Sequence, residues 1–363
     1  MKRTIKKLPL HDIHLGLSAK MGEFAGWQVP LFYSSIVSEY KQCRERAVVF
    51  DISHMGEFIF QGDIKNSGIE KAVTPCLEEI PLGRSGYGFI LNDSGGVVDD
   101  LIVFKISPDK LMFVVNASSE DKDYQVLKEA VKGPKIENIS AETAKIDLQG
   151  PLSKEVLSES LGFNQELAYF AFTEFNYKGE KILISRTGYT GELGYEIFLP
   201  KKSSVSVWNQ LLDNQKVKPA GFGARDMLRL EMGYSLLGHE LKEDITPLQA
   251  GLAKFINFDK DFIGKDALLS QKDKGIKKVK IAFSLNSKRI PRPGYKIYSA
   301  DKRIGEVTSG TYSFLLSAGI GLGYINSDYQ QKIKKIFIED EKRKKFEAKI
   351  VQLPFYKKGS ARN

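Results

Sequence analysis

Cysteine is scarce: only Cys43 and Cys76 are present, far apart and in no CxxC pattern. That speaks against a disulfide framework and against a thiolate metal site. No apolar run approaches the ~20 residues that a membrane span needs. The opening Met1-Lys2-Arg3-Thr4-Ile5-Lys6-Lys7 is basic, but Leu8-Pro9-Leu10-His11-Asp12 follows where a secretory signal would place its apolar core. Missing too are a Walker A loop, an HExxH motif and a GxSxG elbow, and Gly221-Phe222-Gly223 lacks the third glycine and preceding strand of a dinucleotide fingerprint. Phosphate transfer, zinc hydrolysis, serine hydrolysis and NAD chemistry therefore lose support. No internal repeat at a solenoid period is visible. The expectation is a protein of a reducing setting, cytoplasm or organelle matrix, with cytoplasm taken as the reading, and with no membrane segment and no metal.

What is present is an ordinary soluble composition, 42% hydrophobic and 27% charged, in 363 residues, enough for two or three domains. Lys and Arg number 54 against 45 Asp and Glu, a formal charge of +9. Such a balance favours acidic partners or anionic ligands. The basic residues are scattered. Their densest run, Lys342-Arg343-Lys344-Lys345, follows Glu339-Asp340-Glu341 and reads as a solvated turn. A nucleic-acid surface needs a clustered basic face with stacking aromatics, which this pattern does not supply.

The chain is organised around Gly95-Gly96-Val97-Val98-Asp99-Asp100-Leu101-Ile102-Val103-Phe104. The preceding Leu91-Asn92-Asp93-Ser94 is rich in residues that bond their own backbone, and apolar runs flank it, so a β-hairpin is predicted. Side chains alternate across a strand. Val98, Asp100, Ile102 and Phe104 share one face; Val97, Asp99, Leu101 and Val103 share the other. Both faces are otherwise apolar, so at least one carboxylate sits where an ion is costly unless bonded or matched to a ligand.

Upstream, Met21 to Leu31 mixes Gly, Pro, Phe and Trp and predicts a packed loop. Ser34-Ser35 caps a helix with Ile36, Val37, Tyr40, Cys43 and Ala47 on one side. Val48-Val49-Phe50 opens a strand that runs into Asp51-Ile52-Ser53-His54-Met55-Gly56-Glu57. His54 is either a general base or, as an isolated histidine, structural; Met55 lines a pocket or fills core. Residues 87–117 predict a β-meander whose last strand ends at Asn116, a side chain suited to a cavity or to a turn. A helix carrying Tyr124, Leu127 and Ala130 follows.

Lys145-Ile146-Asp147-Leu148-Gln149 predicts a strand, and Pro151 the first turn of a helix. The strand Lys181 to Ser185 feeds Arg186-Thr187-Gly188-Tyr189-Thr190-Gly191-Glu192-Leu193-Gly194-Tyr195-Glu196. Three glycines at three-residue spacing let backbone approach a flat ligand. Tyr189 offers a stacking face and Glu196 a bidentate acceptor. The glycines of Pro219-Ala220-Gly221-Phe222-Gly223-Ala224-Arg225-Asp226 precede a long amphipathic helix, where Arg225 can clamp a carboxylate or pair with a nearby acid. Gln271 to Lys280 reads as a Lys-rich linker, and short turn-separated strands from about 276 predict an all-β module.

Taken in order, the motifs Phe24-Ala25-Gly26-Trp27, Asp51 to Glu57, Gly95 to Asp100, Val115-Asn116-Ala117, Ser185 to Glu192, Gly223-Ala224-Arg225-Asp226 and Pro354-Phe355-Tyr356 resemble the glycine cleavage system T-protein family, the aminomethyltransferases, from end to end. The resemblance implies an α+β fold, a three-domain cloverleaf around a central folate channel with a C-terminal antiparallel β-barrel. It maps a discontinuous first domain to 1–54 plus 140–275, an inserted domain carrying the catalytic Asp to 55–139, and the barrel to 276–363. It implies tetrahydrofolate as co-substrate and, as partner, an H-protein carrying the aminomethyl group on its lipoyl arm. Within that pattern Asp100 matches the catalytic carboxylate. Glu196 looks like the acceptor for the pterin donor edge and Asn116 an added hydrogen bond. Met55, Tyr87 and Tyr189 look like pocket walls, and Arg225 and Arg362 like anion partners.

A folate-dependent demethylase of a small methylated substrate shares the channel and needs no carrier. An iron–sulfur maintenance relative carries a Cys-bearing motif where this chain reads Lys260-Asp261-Phe262-Ile263-Gly264-Lys265. Phe104 and Phe170 stand where relatives often carry Tyr, so hydroxyl contacts are not expected there.

Overall fold

The strand Ala47–Asp51 is buried at every residue, as its run Ala-Val-Val-Phe requires of a strand covered on both faces. In this computed structural model, which describes residues 5–133, 135–330 and 332–362, it lies inside a six-stranded sheet. The order is Phe172–Tyr177, Glu180–Ser185, Gly194–Pro200, Thr143–Gln149, Ala47–Asp51, Val217–Pro219. Neighbours are antiparallel except the last pair, where Val217 runs parallel beside Ala47. Period-two alternation then sorts the side chains. Ala144, Ile146 and Leu148, with Tyr195, Ile197 and Leu199, enter one core with Trp208, Val207 and Leu211 of the helix Ser204–Leu212 and Val156 and Leu157 of the helix Ser153–Leu161. Each large side chain so covered contributes roughly 1.5–3 kcal/mol of transfer free energy. Lys145, Asp147, Gln149, Glu196 and Phe198 are left on the opposite face.

Two compact units make up the chain: Met1–Gly88, Leu101–Leu228 and Lys358–Asn363 form one, and Phe89–Asp100 with Arg229–Lys357 the other. The first holds the six-stranded sheet and a small sheet of Lys6–Lys7, Trp27–Phe32 and Lys20–Phe24, so the stretch expected as loop is largely a hairpin. The helix Ile36–Glu45 begins where Ser35 Oγ accepts the Ser38 N–H at 3.1 Å. It stops before Ala47, which opens the strand instead of continuing the helix face. The helix after Gly150-Pro151 starts at Ser153.

The predicted meander is present as Ser85–Leu91, Val97–Ser107 and Lys110–Val115, in a five-stranded sheet completed by Gly56–Gln61 and Lys135–Asn138. Val97, Asp99, Leu101 and Val103 are buried to 1% exposure or less, while Asp100 and Ile102 on the other face are half-buried. The expected alternation therefore holds through both carboxylates.

In the second unit the strands Lys278–Leu285, Ala318–Asn326, Lys302–Ser313, Lys296–Ser299, Lys335–Glu339 and Lys345–Val351 close into an antiparallel barrel. Ile281, Phe283, Ile297, Val307, Ile325 and Ile336 are among the residues that fill it. The expected linker Gln271 to Lys280 is not one. It comprises the end of the helix Lys265–Lys274, Gly275 at φ 84°, and the start of the first barrel strand. That helix buries only Leu268 and exposes Lys272 and Lys274, which is why its composition resembles a linker.

The same unit anchors the hairpin tip. Asn92 Oδ1 accepts the N–H groups of Ser94 and Gly96 at 3.0 and 2.9 Å, and its Nδ2 donates to the Glu243 carbonyl at 2.9 Å. Val97 N–H donates to the carbonyls of Lys242 and Ile245. A Cβ on Gly96 would lie 1.8 Å from the Glu243 oxygen, so glycine is required there by backbone approach.

Candidate active site

The polar face of the six-stranded sheet carries two carboxylates side by side. Asp147 and Glu196 are register partners across the antiparallel pair, and both are almost wholly buried. Buried charges persist when paired and hydrogen-bonded, and each has its own cation. Arg225 Nη1 bonds Asp147 Oδ2. Lys145 Nζ lies 3.3 Å from Glu196 Oε1, with the Met55 sulfur at 3.5 Å and the Phe198 ring centroid at 4.8 Å.

Further donors fix the pair. Thr187 Oγ1 donates to Glu196 Oε2 at 2.6 Å, and Gln149 Nε2 donates to Asp147 Oδ1 at 2.6 Å and to the Thr187 carbonyl at 3.1 Å. Thr190 Oγ1 donates back to Gln149 Oε1 at 2.6 Å. A Cβ on Gly188 or Gly194 would lie 2.3 or 2.1 Å from Gln149 Nε2. The glycine spacing thus makes room for this glutamine, where the sequence reading had assigned it to close approach of a ligand.

The two acids are driven apart in proton affinity. Burial raises Asp147, to about 6, with Arg225 opposing and Glu196 adding to the rise. For Glu196 burial acts in the same sense, but Lys145, the Thr187 hydroxyl and Arg225 outweigh it and hold the carboxyl below its usual range. Glu196 is therefore a fixed anion. Among the described residues one donor addresses each of its oxygens, Lys145 on Oε1 and Thr187 on Oε2, and a carboxylate oxygen can accept a second. Two parallel acceptor positions fit the paired donors on the edge of a flat heterocycle.

Around this pair, Arg225 lies 5.2 Å from the Tyr189 ring centroid and 5.7 Å from that of Phe50. Arg225 sits in the first turn of the helix Phe222–Met232; Gly223 lies inside that helix, and only Gly221 precedes it. Its acid is Asp147 of the central strand. His54 is packed edge-on against Phe24 and Phe222 at 5.6 and 5.0 Å. Burial, Arg225 and Lys145 lower its pKa to about 3, and its Nδ1 has no hydrogen-bond partner among the described residues. It is a neutral filler, the structural alternative of the two.

Of the residues singled out from sequence, Met55, Tyr189, Glu196 and Arg225 are brought together by these contacts. Tyr87 and Asn116 are half-buried on the five-stranded sheet or at its end. Asp100 belongs to the hairpin tip in the other unit. Arg362 is exposed and lies 5.9 Å from the Tyr169 ring centroid. Its neighbours fold onto the glycine loop: Ser360 donates through N and Oγ to Glu192 Oε2 at 3.0 and 2.6 Å, and Ala361 N–H to the Gly191 carbonyl at 3.1 Å.

Lys145, Asp147, Gln149 and Thr187 escaped the sequence reading. The signal was there in Lys145-Ile146-Asp147-Leu148-Gln149, whose polar residues occupy every second place. Among the described residues no group of three His, Cys, Asp or Glu is placed to hold a metal, and no helix is long and apolar enough to cross a membrane.

The fold and the paired acids define an α+β protein with a closed antiparallel barrel and a buried, charge-paired couple of carboxylates on one sheet face. Comparison with known proteins narrows the class. The GCVT N-terminal domain family matches residues 10–260, and the glycine cleavage T-protein C-terminal barrel domain family matches 278–357. The chain is 40% identical to an aminomethyltransferase of Thermotoga petrophila over 99% of both chains. It is 42% identical to one of Caldanaerobacter subterraneus over 98% of this chain and 97% of that one. Its fold matches the crystal structure of glycine cleavage system aminomethyltransferase T from Bartonella henselae with a TM-score of 0.91 and 30% identity, covering 98% of this chain and 99% of the other. The chain belongs to the aminomethyltransferase family, the T-proteins of the glycine cleavage system.

Proposed function

We propose that this chain is a tetrahydrofolate-dependent aminomethyltransferase of the glycine cleavage system, acting in the cytoplasm. It takes the methylene of the aminomethyl group carried on the lipoyl arm of an H-protein. Tetrahydrofolate receives it, giving 5,10-methylene-tetrahydrofolate, ammonia and the dihydrolipoyl carrier. The observation that carries the reading is Glu196, ionised, buried and, among the described residues, with one donor on each oxygen, in a chain that matches aminomethyltransferases over its whole length. This acceptor pair fits a reduced pterin, whose ring N–H and exocyclic amine form a paired donor edge.

The roles are those the family resemblance implies, and side-chain chemistry is compatible with each. Glu196 accepts from the pterin edge and orients it, and Asn116 adds a hydrogen bond. Met55, Tyr87 and Tyr189 supply walls for a flat ring. Arg225, already committed to Asp147, fixes the Tyr189 side of the site and has donors left for an anionic substituent; Arg362 serves an anionic tail. Asp100 is the catalytic carboxylate. Forming a C–N bond and expelling ammonia requires protons to move, and a positioned carboxylate contributes ~10²–10⁴-fold. The domains we assign to this work are 1–54 with 140–275 for folate, 55–139 for the catalytic strand, and 276–363 for the barrel. The net charge of +9 favours an acidic carrier, whose affinity then falls as salt rises.

The test is a reconstituted reaction of purified protein, aminomethyl-lipoyl H-protein and tetrahydrofolate, read as ammonia and methylene-tetrahydrofolate. Carrier-dependent formation of both is expected. Folate-dependent demethylation of a small methylated amine, with no response to the carrier, would replace this reading by the demethylase one.

A further inference from the structure

The unit that holds the Lys145–Glu196 pair buries a further acid that the proposed function does not use. Glu57, on the strand Gly56–Gln61, is 1% exposed, and its Oε1 has no hydrogen-bond partner among the described residues. Its backbone is pinned: its N–H donates to Ser140 Oγ at 2.9 Å and its carbonyl accepts the Ile139 N–H at 2.9 Å.

Three charged groups act on Glu57: Lys145 of the strand Thr143–Gln149, Glu120 of the helix Glu120–Ala130 and Glu196 of the strand Gly194–Pro200. Two are like charges and one is a cation. Lys145 is itself 1% exposed, and its ammonium is bounded by the Glu196 oxygen, the Met55 sulfur and the Phe198 ring. This buried ammonium is paired with Glu196 and acts electrostatically on Glu57 as well, and which acid it serves depends on which is charged. A neutral Glu57 leaves the ammonium to Glu196. An ionised Glu57 competes for it, and Glu196 then loses both its counter-charge and one of its two fixed donors.

We infer that Lys145 and Glu57 are positioning residues of the ligand site: Lys145 holds Glu196 ionised and in the orientation that presents its free acceptor positions, and Glu57, kept protonated, leaves Lys145 committed to Glu196. Burial, with Glu120 and Glu196 adding and Lys145 opposing, raises Glu57 to about 8, in the sense this assignment needs. The inference rests on the proposal that Glu196 grips the pterin edge. The proposed function gives neither residue a part at the reacting atoms, so the effects belong to binding and its pH dependence.

Tetrahydrofolate titration of the full-length protein by calorimetry, between pH 6.5 and 9, tests this in the wild type, Lys145→Met, Lys145→Arg and Glu57→Gln. Loss of a charge-assisted contact at Glu196 in Lys145→Met raises Kd about 10- to 100-fold, with kcat at saturating folate within about twofold. Lys145→Arg recovers part of the affinity. Wild-type Kd rises above pH 8 as Glu57 ionises, and Glu57→Gln removes that rise. A role confined to packing would lower the unfolding midpoint and leave the pH profile of Kd in place. Wild-type affinity in folded Lys145→Met overturns the inference. Should that variant not fold, the same alkaline rise in Glu57→Gln as in the wild type overturns it. Absence of any heat with the wild-type protein overturns the pterin reading of Glu196, and the inference with it.

Discussion

Asp147 and Glu196 stand opposite each other in adjacent strands, yet they answer to different cations, Arg225 and Lys145. Two buried carboxylates this close cannot be equally acidic. The structure resolves the conflict by pushing Asp147 up and Glu196 down. One acid becomes the dependable anion of the site and the other its structural brace.

Replacing the anion isolates its contribution. In Glu196→Gln one acceptor oxygen becomes a donor and the charge is lost. A charge-assisted contact is worth roughly 1.5–3 kcal/mol, so the KM for tetrahydrofolate rises about 10- to 100-fold. The carrier's KM stays near its wild-type value. Steady-state kinetics with each substrate varied in turn checks the split.

Removing the cation of the other pair is a stability experiment. Arg225→Met leaves Asp147 buried without its partner. Breaking a buried pair from one side costs about 3–5 kcal/mol, and neutralisation of Asp147 in the variant offsets part of that. Urea unfolding should show a lowered midpoint with the slope unchanged. The double variant Arg225→Met/Asp147→Asn should regain part of the loss.

How much of this was legible beforehand differs by element. The hairpin, its facing carboxylates and the barrel strands follow from alternation and turn chemistry, both local in sequence. Glu196 and Arg225 stood out because each sits beside glycines in a recognisable motif. Asp147 and Lys145 did not, because Lys145-Ile146-Asp147-Leu148-Gln149 is an unremarked strand until its partner is known, and that partner lies some fifty residues on, at Glu196. The sequence assigns Gly188 and Gly194 to a ligand because the side chain filling their space, Gln149, lies about forty residues away. The helix Lys265–Lys274 was hidden by its own exposure, since one buried Leu268 gives no apolar period.

Stability should carry the mark of Glu57. Its folded pKa, about 8, lies above the ordinary 4.5, so the folded state binds the proton more tightly than the unfolded one. Below about pH 4.5 both states are protonated and the group is neutral to stability. Between there and about 8 the unfolded state releases its proton first, and stability falls with rising pH. Above 8 the loss is complete, a few kcal/mol in order of magnitude. Unfolding free energies from pH 5 to 9 should slope less in Glu57→Gln than in the wild type. Parallel curves would contradict the assignment.

The anchoring of the hairpin tip makes Gly96 a sensitive position. A methyl group there meets the Glu243 carbonyl oxygen at 1.8 Å, backbone against backbone. Gly96→Ala must displace the tip that carries Asp100 and is expected to lower kcat at least tenfold, since a small misplacement of a catalytic group is costly. The tetrahydrofolate Kd should move little. Calorimetry and single-turnover rates on the same preparation separate the two.

The most direct test of the account is Asp100→Asn in the reconstituted reaction, with tetrahydrofolate binding measured alongside. The exchange keeps size and shape and removes the proton-carrying carboxylate. We predict turnover reduced by ~10²–10⁴-fold, with folate affinity within a fewfold of wild type. Wild-type turnover in this variant would remove Asp100 from the chemistry and contradict the account.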